Sequence, residues 1–372
     1  TWSAYAARRD LGLLYLRLGR WDDAREVLEP LLEHEDAPPF VLLAARLGLA
    51  RAAMHQRDLE AASAHYEAGA DLEPDTQARG LIYREAAEIS CELGDDSRAA
   101  RYYAAALQWL DQKREMQTYT DTVVAFAYTR LRLRQFGEAI ETFEAALHAV
   151  ESMPRPDPAL RSAVLLDMAS AHHTLGQYRR AAETYRRSLP LQDAHRNPDR
   201  YLDTLIALAR SEAGAGEYQA AVAAYHDALQ FEQLDSNRRR TLLIEQAEAF
   251  ARLDQSQAAI NAYDAALTID GASARERAEI HRGIGAVYAR LGSYDQARRH
   301  LEAVLSAVQD DRTGVTLKAL ADSHRALGQV KEAIDVYHRA LGFLDREAEP
   351  AARASTERAL GEIYLERNQL SN

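Results

Sequence analysis

Nine alanines recur along this chain at nearly constant spacing, and that spacing constrains the fold more than any other feature. They are Ala24, Ala62, Ala99, Ala139, Ala181, Ala221, Ala259, Ala297 and Ala333. Successive members are 36 to 42 residues apart over a chain of 372 residues. A period of this size is typical of solenoids, in which each repeat packs only against its neighbours. We therefore expect one elongated domain over 1–372, without a single central core.

Other positions keep fixed offsets from these anchor alanines. A small residue, such as Ala169 or Gly285, stands twelve positions earlier, and a bulky one, usually tyrosine, stands four positions later. Between the two small residues lies a turn signal such as Leu175-Gly176-Gln177-Tyr178. Glycine tolerates the positive φ that closes a helix, so each unit is predicted to be helix, turn, helix. A bundle of unrelated amphipathic helices would not reproduce these offsets nine times.

The pattern resembles the tetratricopeptide repeat, most clearly over Leu175-Gly176-Gln177-Tyr178-Arg179-Arg180-Ala181-Ala182-Glu183-Thr184-Tyr185. The period exceeds the usual 34 residues by two to eight. The resemblance implies an all-α, right-handed superhelical solenoid of nine full repeats and one partial repeat, with about nineteen helices. The predicted repeats cover about 4–37, 38–75, 76–113, 114–153, 158–193, 198–235, 236–271, 273–310, 312–346 and 350–370.

Two links contain proline. Residues 153–158 hold three prolines, and residues 193–198 end in Pro198. Because proline cannot continue a helix interior, these links are predicted to be the longest in the chain. The first is either a hinge, a loop that contacts a partner, or simply a longer edge link.

Charge and motifs narrow the function. The formal net charge is −12, which disfavours nonspecific nucleic-acid binding. The sequence contains no apolar run long enough for a transmembrane helix, and one cysteine, Cys91, cannot form an intrachain disulfide. No metal-binding, phosphate-binding or catalytic motif emerges. We therefore expect a protein that is not an enzyme, with no catalytic residues, metal or cofactor, and with no direct membrane insertion.

Both ends of the sequence look cut, since Thr1 is not an initiating methionine and residues 357–370 resemble the start of a tenth repeat. The chain is accordingly expected to be part of a longer protein. A cytoplasmic location is favoured and a periplasmic one stays open.

In the family that this chain resembles, the first helices line the concave side and make most partner contacts. Three positions on each first helix are expected to face inward: three before the small residue, one after it and four after it. They place candidate partner-binding residues at Arg9, Arg51, Arg84, Tyr128, Arg210, Arg282, Lys318 and Arg358. The wall would be basic at its start, apolar in the middle and of mixed charge at its end, which suits a peptide with acidic flanks.

The leading functional hypothesis is a non-catalytic scaffold that holds a peptide or partner protein in this groove. One alternative is a sensor segment of a signalling ATPase, caspase-like protease or transcriptional regulator. A second is a periplasmic assembly scaffold for polysaccharide export. The partner and the oligomeric state are not predicted.

Overall fold

The computed structural model describes residues 2–34, 36–345 and 349–370, with side chains up to Arg367. The predicted cut ends, Thr1 and Asn372, lie outside this range, as does residue 346, the predicted end of the ninth repeat. The described residues contain no strand and nineteen α-helices, which confirms the all-α prediction. The helices are α1 Trp2–Arg17, α2 Trp21–Leu28, α3 Pro39–His55, α4 Leu59–Ala70, α5 Thr76–Glu92, α6 Asp96–Trp109, α7 Met116–Arg132, α8 Phe136–Glu151, α9 Pro158–Thr174, α10 Tyr178–Ser188, α11 Pro198–Gly214, α12 Tyr218–Leu229, α13 Ser236–Arg252, α14 Ser256–Leu267, α15 Ala274–Arg290, α16 Tyr294–Ala307, α17 Thr313–Ala326, α18 Val330–Phe343 and α19 Pro350–Leu370.

A residue with positive φ closes the first helix of each of the nine repeats, five positions before the anchor alanine. Six of the nine are glycines, as in Gly176, whose φ is 71°. In the other three repeats the same backbone conformation is adopted by Arg57, Arg134 and Asp254, with φ between 57° and 60°. The turn geometry is therefore a property of the repeat, and glycine is its usual but not its necessary residue.

The anchor alanines lie at the closest contacts between helices. All nine are 0% exposed, and the residues four positions later are at most 7% exposed. A methyl group lets two helix axes approach closely, and the large side chain one turn along fills the space beside that contact. The repeat motif is thus the core motif, as the sequence predicts.

Helices pack in the order of the chain within each of two compact units, Thr1–Asp193 and Ala194–Asn372. In both units each first helix packs on the second helix of its own repeat, and that second helix packs on the next first helix. The boundary between the units falls in the second proline-containing link.

The prediction that the two proline-containing links are the longest is wrong, because ten residues separate α2 from α3, against nine between α10 and α11 and six between α8 and α9. Six residues also separate α6 from α7, α12 from α13 and α14 from α15. Pro158 and Pro198 are the first residues of α9 and α11. At that position the missing N–H is not needed and the fixed φ is already helical, so these prolines begin helices and do not extend the links.

Candidate partner-binding face

The first helices of the repeats make up one layer of each unit, and some neighbours in this layer contact each other directly. Besides packing on second helices, α1 approaches α3 in the first unit, and α13, α15 and α17 approach one another in the second. We call the exposed side of this layer the inner face. The predicted partner-binding residues all lie on first helices, and they differ in exposure and in their ion pairs.

In the first unit, the four candidates differ in how freely they can meet a partner. Arg51 is exposed and reaches the hydroxyl of Tyr66. Arg84 forms an ion pair with Glu88 at 2.9 Å. Arg9 pairs with Asp10 at 2.7 Å and stacks over the Phe40 ring at 5.4 Å.

Tyr128, the fourth, is half-buried, and its ring meets Phe143 edge-on at 5.5 Å. Of these four residues, Arg51 therefore offers the most accessible charge, while Tyr128 contributes to the core as well as to the surface.

In the second unit, one candidate is engaged inside the protein. Arg282 is 10% exposed, donates two hydrogen bonds to Asp310 at 2.6 and 2.7 Å, and donates a third to the hydroxyl of Thr316. Pairing with Arg282 contributes to a lowered pKa of Asp310, although burial of that carboxyl acts in the opposite direction and is the largest influence. The pair joins α15 to the link before α17, which argues against a partner contact for Arg282.

The remaining three candidates are more accessible. Arg210 forms a bidentate pair with Glu245, with three contacts of 2.9 to 3.1 Å. Lys318 pairs with Asp322 at 2.7 Å. Arg358 is exposed and has no ion-pair partner within the described ranges.

A cleft of about 410 Å³ opens at the first end of the inner face. Its charged rim includes Arg17 and Arg51, and the Trp21 ring stacks on His55 at 3.7 Å. Leu13, Leu16 and Met54 supply an apolar floor. The predicted basic start of the groove therefore coincides with an apolar hollow.

The tyrosines four positions after the anchor alanines do more than fill space between helices. Their rings are buried, but their hydroxyls reach polar groups on first helices. Tyr337 donates to Asp322 at 2.5 Å, and Tyr66, Tyr103, Tyr185 and Tyr225 meet Met54, Cys91, Ser170 and Glu245 respectively. Burial is the main cause of the raised pKa of all five hydroxyls, which therefore stay protonated at neutral pH.

Tyr263 occupies the same position in the seventh repeat, and there the surroundings differ. A cleft of about 370 Å³ lies in front of it, between α13 and α15. Gly283 also lines this cleft and packs directly against the tyrosine ring, since an added Cβ would lie 2.3 Å from the tyrosine Cζ. Glu248 stands on the α13 side of the cleft.

The charged groups that line this cleft are the Glu248 carboxylate and the guanidinium groups of Arg252 and Arg290. Desolvation in the cleft, followed by the negative charges of Glu279 and Glu245, raises the pKa of Glu248. Arg290 lines the cleft as well, but its guanidinium donates to the backbone oxygen of Ala251 at 2.6 Å and lies 3.6 Å from Asp254.

A smaller and more apolar cleft of about 160 Å³ adjoins this one on the far side of Ala286. Ala289, Leu301, Val315 and Ala319 line it. Neither cleft could be predicted from the repeat pattern, because both depend on which side chains are small at the junction of particular repeats.

The described residues lack the features of two other kinds of site. Over 2–34, 36–345 and 349–370, no group of three or more His, Cys, Asp or Glu side chains is placed to hold a metal ion. No helix in these ranges has the length and apolar character needed to cross a membrane.

Comparison with solved structures finds similar helical-repeat proteins at low identity. MamA is 19% identical, with 48% of this chain and 96% of that chain covered and a TM-score of 0.40. A tetratricopeptide repeat protein from Parabacteroides merdae is 14% identical, with 75% and 98% covered and a TM-score of 0.43. The Cut9–Hcn1 hetero-tetramer of APC/C is 14% identical, with 97% and 83% covered and a TM-score of 0.39.

No curated protein sequence matches the chain. Two family models described as tetratricopeptide repeat do match it. One covers residues 9–78 and 124–197, and the other covers residues 276–346, which together is more than half of the sequence. With the repeat geometry described above, these matches establish that the chain belongs to the tetratricopeptide repeat family.

Proposed function

We propose that this protein is a non-catalytic interaction scaffold that binds a peptide or an extended segment of a partner protein along its inner face. Membership of the tetratricopeptide repeat family supports the general function of protein–protein interaction. The inner face is our own assignment of where such binding occurs.

The observation that carries this proposal is the position of the clefts. Three of them open between adjacent first helices, and each has a second-helix side chain in its wall, namely Trp21, Tyr263 or Leu301. The two neighbouring hollows of the second unit suit an extended ligand that places one side chain in each. Small clefts of this kind bind weakly alone and tightly only when several are occupied together.

Among the candidate residues, exposure favours some over others. Arg51, Arg210 and Arg358 present the most accessible charges, and Arg9, Arg84, Tyr128 and Lys318 can contribute after exchanging their present contacts. Arg282 is left out because its contacts with Asp310 and Thr316 hold the fold together.

The experiment compares charge reversal on the two layers of the first unit. The probe is a peptide selected from a random display library against the full chain and then labelled for fluorescence anisotropy. Arg51→Glu with Arg84→Glu is tested against a matched pair on the second helix α10, Arg179→Glu with Arg186→Glu; both α10 residues are exposed.

If the inner face binds the peptide, the first pair weakens an acidic peptide by about tenfold or more, and less so in high salt. The second pair leaves the affinity within about twofold. A peptide that responds to the α10 pair and ignores the first pair would place binding on the other layer and overturn the proposal.

A further inference from the structure

The cleft of about 410 Å³ between α1 and α3 is lined by two arginines and by no carboxylate. Arg17 and Arg51 are both exposed, and neither has an ion-pair partner among the described residues. The clefts of the second unit differ, because Glu248 lines one of them and the two arginines of the other are paired with Asp310 and Glu279. Two guanidinium groups without a counter-charge create a locally positive site in a chain whose net charge is −12.

Two carboxylates belong to the same part of the fold, and neither neutralises these arginines. Asp22 accepts a hydrogen bond from the side-chain amide of Gln56 at 2.6 Å. Glu85 on α5 lies beside the Tyr66 hydroxyl, which Arg51 also reaches, but Glu85 and Arg51 form no ion pair with each other in the described ranges. Arginine carries five N–H donors, so one contact with a tyrosine hydroxyl leaves most of the Arg51 guanidinium available to a ligand.

The floor of the cleft is apolar and closely packed. Leu13 and Leu16 of α1 lie over Gly48 of α3, where an added Cβ would be 3.9 Å and 3.1 Å from their respective methyl carbons. Met54 completes the floor and is 38% exposed, so a ligand side chain can be placed directly against it. The flexible thioether of methionine adapts to apolar groups of different shape.

One wall of the cleft is a fixed aromatic surface. Trp21, the first residue of α2, is half-buried, and its ring stacks on His55 of α3 at 3.7 Å with an interplanar angle of 14°. The stack holds the indole in one orientation, so contact with it costs a ligand little additional ordering. The volume of the cleft falls within the roughly 300–1,000 Å³ that is typical of ligand pockets.

We propose that the cleft between α1 and α3 binds an acidic residue next to a large apolar residue, both within an internal stretch of a partner protein. The aspartate or glutamate carboxylate accepts hydrogen bonds from Arg17 and Arg51, because the guanidinium fork matches the geometry of a carboxylate. The neighbouring leucine, methionine or phenylalanine packs between Trp21 and the apolar floor, which removes both surfaces from water. This inference rests on the proposed function and specifies the chemistry of the partner at one cleft.

The test uses the full chain and a displayed library of random peptides of about twelve residues, a length that can span neighbouring clefts. Both ends of each peptide are joined to the carrier, so that no free terminal carboxylate is offered. Selection on the wild type is expected to enrich aspartate or glutamate adjacent to leucine, methionine or phenylalanine. Selection on the double variant Arg17→Gln with Arg51→Gln is expected to lose the acidic residue.

A selected peptide, blocked at both ends, is then titrated by fluorescence anisotropy. Arg17→Gln and Arg51→Gln are each expected to weaken it by about fivefold, because each removes a charged hydrogen bond. Met54→Gln places an amide on the apolar floor and is expected to weaken it by about threefold. The matched control is Arg8→Gln, an exposed arginine of α1 that does not line the cleft, and it should leave the affinity within about twofold.

A mutant cycle joins the peptide to the arginines. Changing the acidic residue of the peptide to its amide is expected to weaken binding to the wild type by about tenfold and to have no effect on binding to the double variant Arg17→Gln with Arg51→Gln. Both arginines are exposed and lack ion pairs, so neither substitution disturbs the fold, and a thermal melt of each variant verifies this.

The contrary results are distinguishable. Peptides that respond to the reversal of Arg51 and Arg84, but bind Arg17→Gln and Met54→Gln as tightly as the wild type, overturn this inference and leave the proposed function standing. An equal loss for Arg8→Gln would also overturn it, because the peptide would then be attracted by overall charge and not by the cleft. A library that yields no peptide sensitive to any inner-face change overturns both.

Discussion

The sixth and seventh repeats lie next to each other and use the same framework, yet their inner faces have opposite characters. In the sixth, the Tyr225 hydroxyl meets Glu245, which also accepts a bidentate pair from Arg210. In the seventh, Tyr263 packs directly on Gly283, and both residues line an open cleft. The two junctions therefore differ in what stands beside the tyrosine hydroxyl: a carboxylate in one and a cleft in the other.

The comparison separates two kinds of residue in a repeat. Ala221 and Ala259, the two anchors, are both 0% exposed and occupy the same packing position in their repeats. The residue beside the tyrosine differs between the two repeats: Glu245 pairs with Arg210, whereas Gly283 packs directly against the Tyr263 ring.

The largest expected effect concerns what the two repeats share. Ala221→Leu and Ala259→Leu each force three extra carbon atoms into a close helix contact, and we expect each to lower the free energy of unfolding by about 1–3 kcal/mol. Ala223→Leu, an exposed change on α12, should alter it by less than about 0.5 kcal/mol. Thermal or urea unfolding followed by circular dichroism measures all three, and a much smaller loss at Ala259 would show that the seventh repeat is packed differently.

The next effect tests the hydroxyl difference directly. Tyr225→Phe removes a hydroxyl that lies near the Glu245 carboxylate and should destabilise the chain by up to about 1 kcal/mol. Tyr263→Phe removes no internal bond, so its effect should be close to zero or slightly stabilising. Urea unfolding of both variants provides the measurement. Equal losses would mean that the Tyr263 hydroxyl is satisfied in solution, and the contrast between the repeats would disappear.

The two glutamates of α13 should respond differently to neutralisation. Glu245→Gln loses the pair with Arg210, a partly exposed contact worth on the order of 0–1 kcal/mol. Glu248 has a folded-state pKa above its ordinary value, so the folded chain holds a proton there more tightly than the unfolded chain does. Its contribution to stability is favourable below the ordinary glutamate pKa and declines as the pH rises through the raised folded value.

Glu248→Gln is therefore expected to be at least as stable as the wild type at neutral pH, with the difference shrinking in acid. Unfolding midpoints measured from pH 3 to pH 7 give the comparison, with Glu245→Gln as the variant expected to move in the other direction at neutral pH. A neutral-pH loss for Glu248→Gln as large as that for Glu245→Gln would show that Glu248 has an internal partner after all.

The sequence predicts the shared framework better than the differences. Fixed offsets around the alanines identify the helix pairs, the buried positions and most of the turns, because these depend only on contacts inside one repeat or with the next. The fate of Arg282 could not be predicted in this way, since its partner Asp310 lies in a link 28 residues further on. The positive-φ turns at Arg57, Arg134 and Asp254 could not be predicted either, because arginine and aspartate do not by themselves indicate a positive φ.

One signal for the open cleft was nevertheless present in the sequence. Two positions before the small residue of the next first helix, Glu85 and Glu245 follow Tyr66 and Tyr225, Gly283 follows Tyr263, and alanine follows Tyr103, Tyr185 and Tyr337. Among the repeats with tyrosine at the bulky position, glycine stands at this place only in the seventh. The volume of the cleft and the lack of an ion-pair partner for Glu248 could not be predicted from the sequence. Both depend on which neighbouring arginine pairs with which carboxylate in the folded chain.

The last pair of changes concerns the turns of the same two repeats, where Gly216 has a φ of 79° and Asp254 a φ of 57°. Gly216→Ala places a Cβ in a left-handed conformation and should cost about 1 kcal/mol. Asp254→Gly relieves that strain, but it also increases the freedom of the unfolded chain and removes the contact with Arg290, so a net gain of no more than about 0.5 kcal/mol is expected. Chemical unfolding of the two variants should therefore show changes of opposite sign. If Asp254→Gly instead destabilises the chain clearly, the aspartate is held there by its contact with Arg290, and the rim of the Tyr263 cleft is more rigid than the turn alone requires.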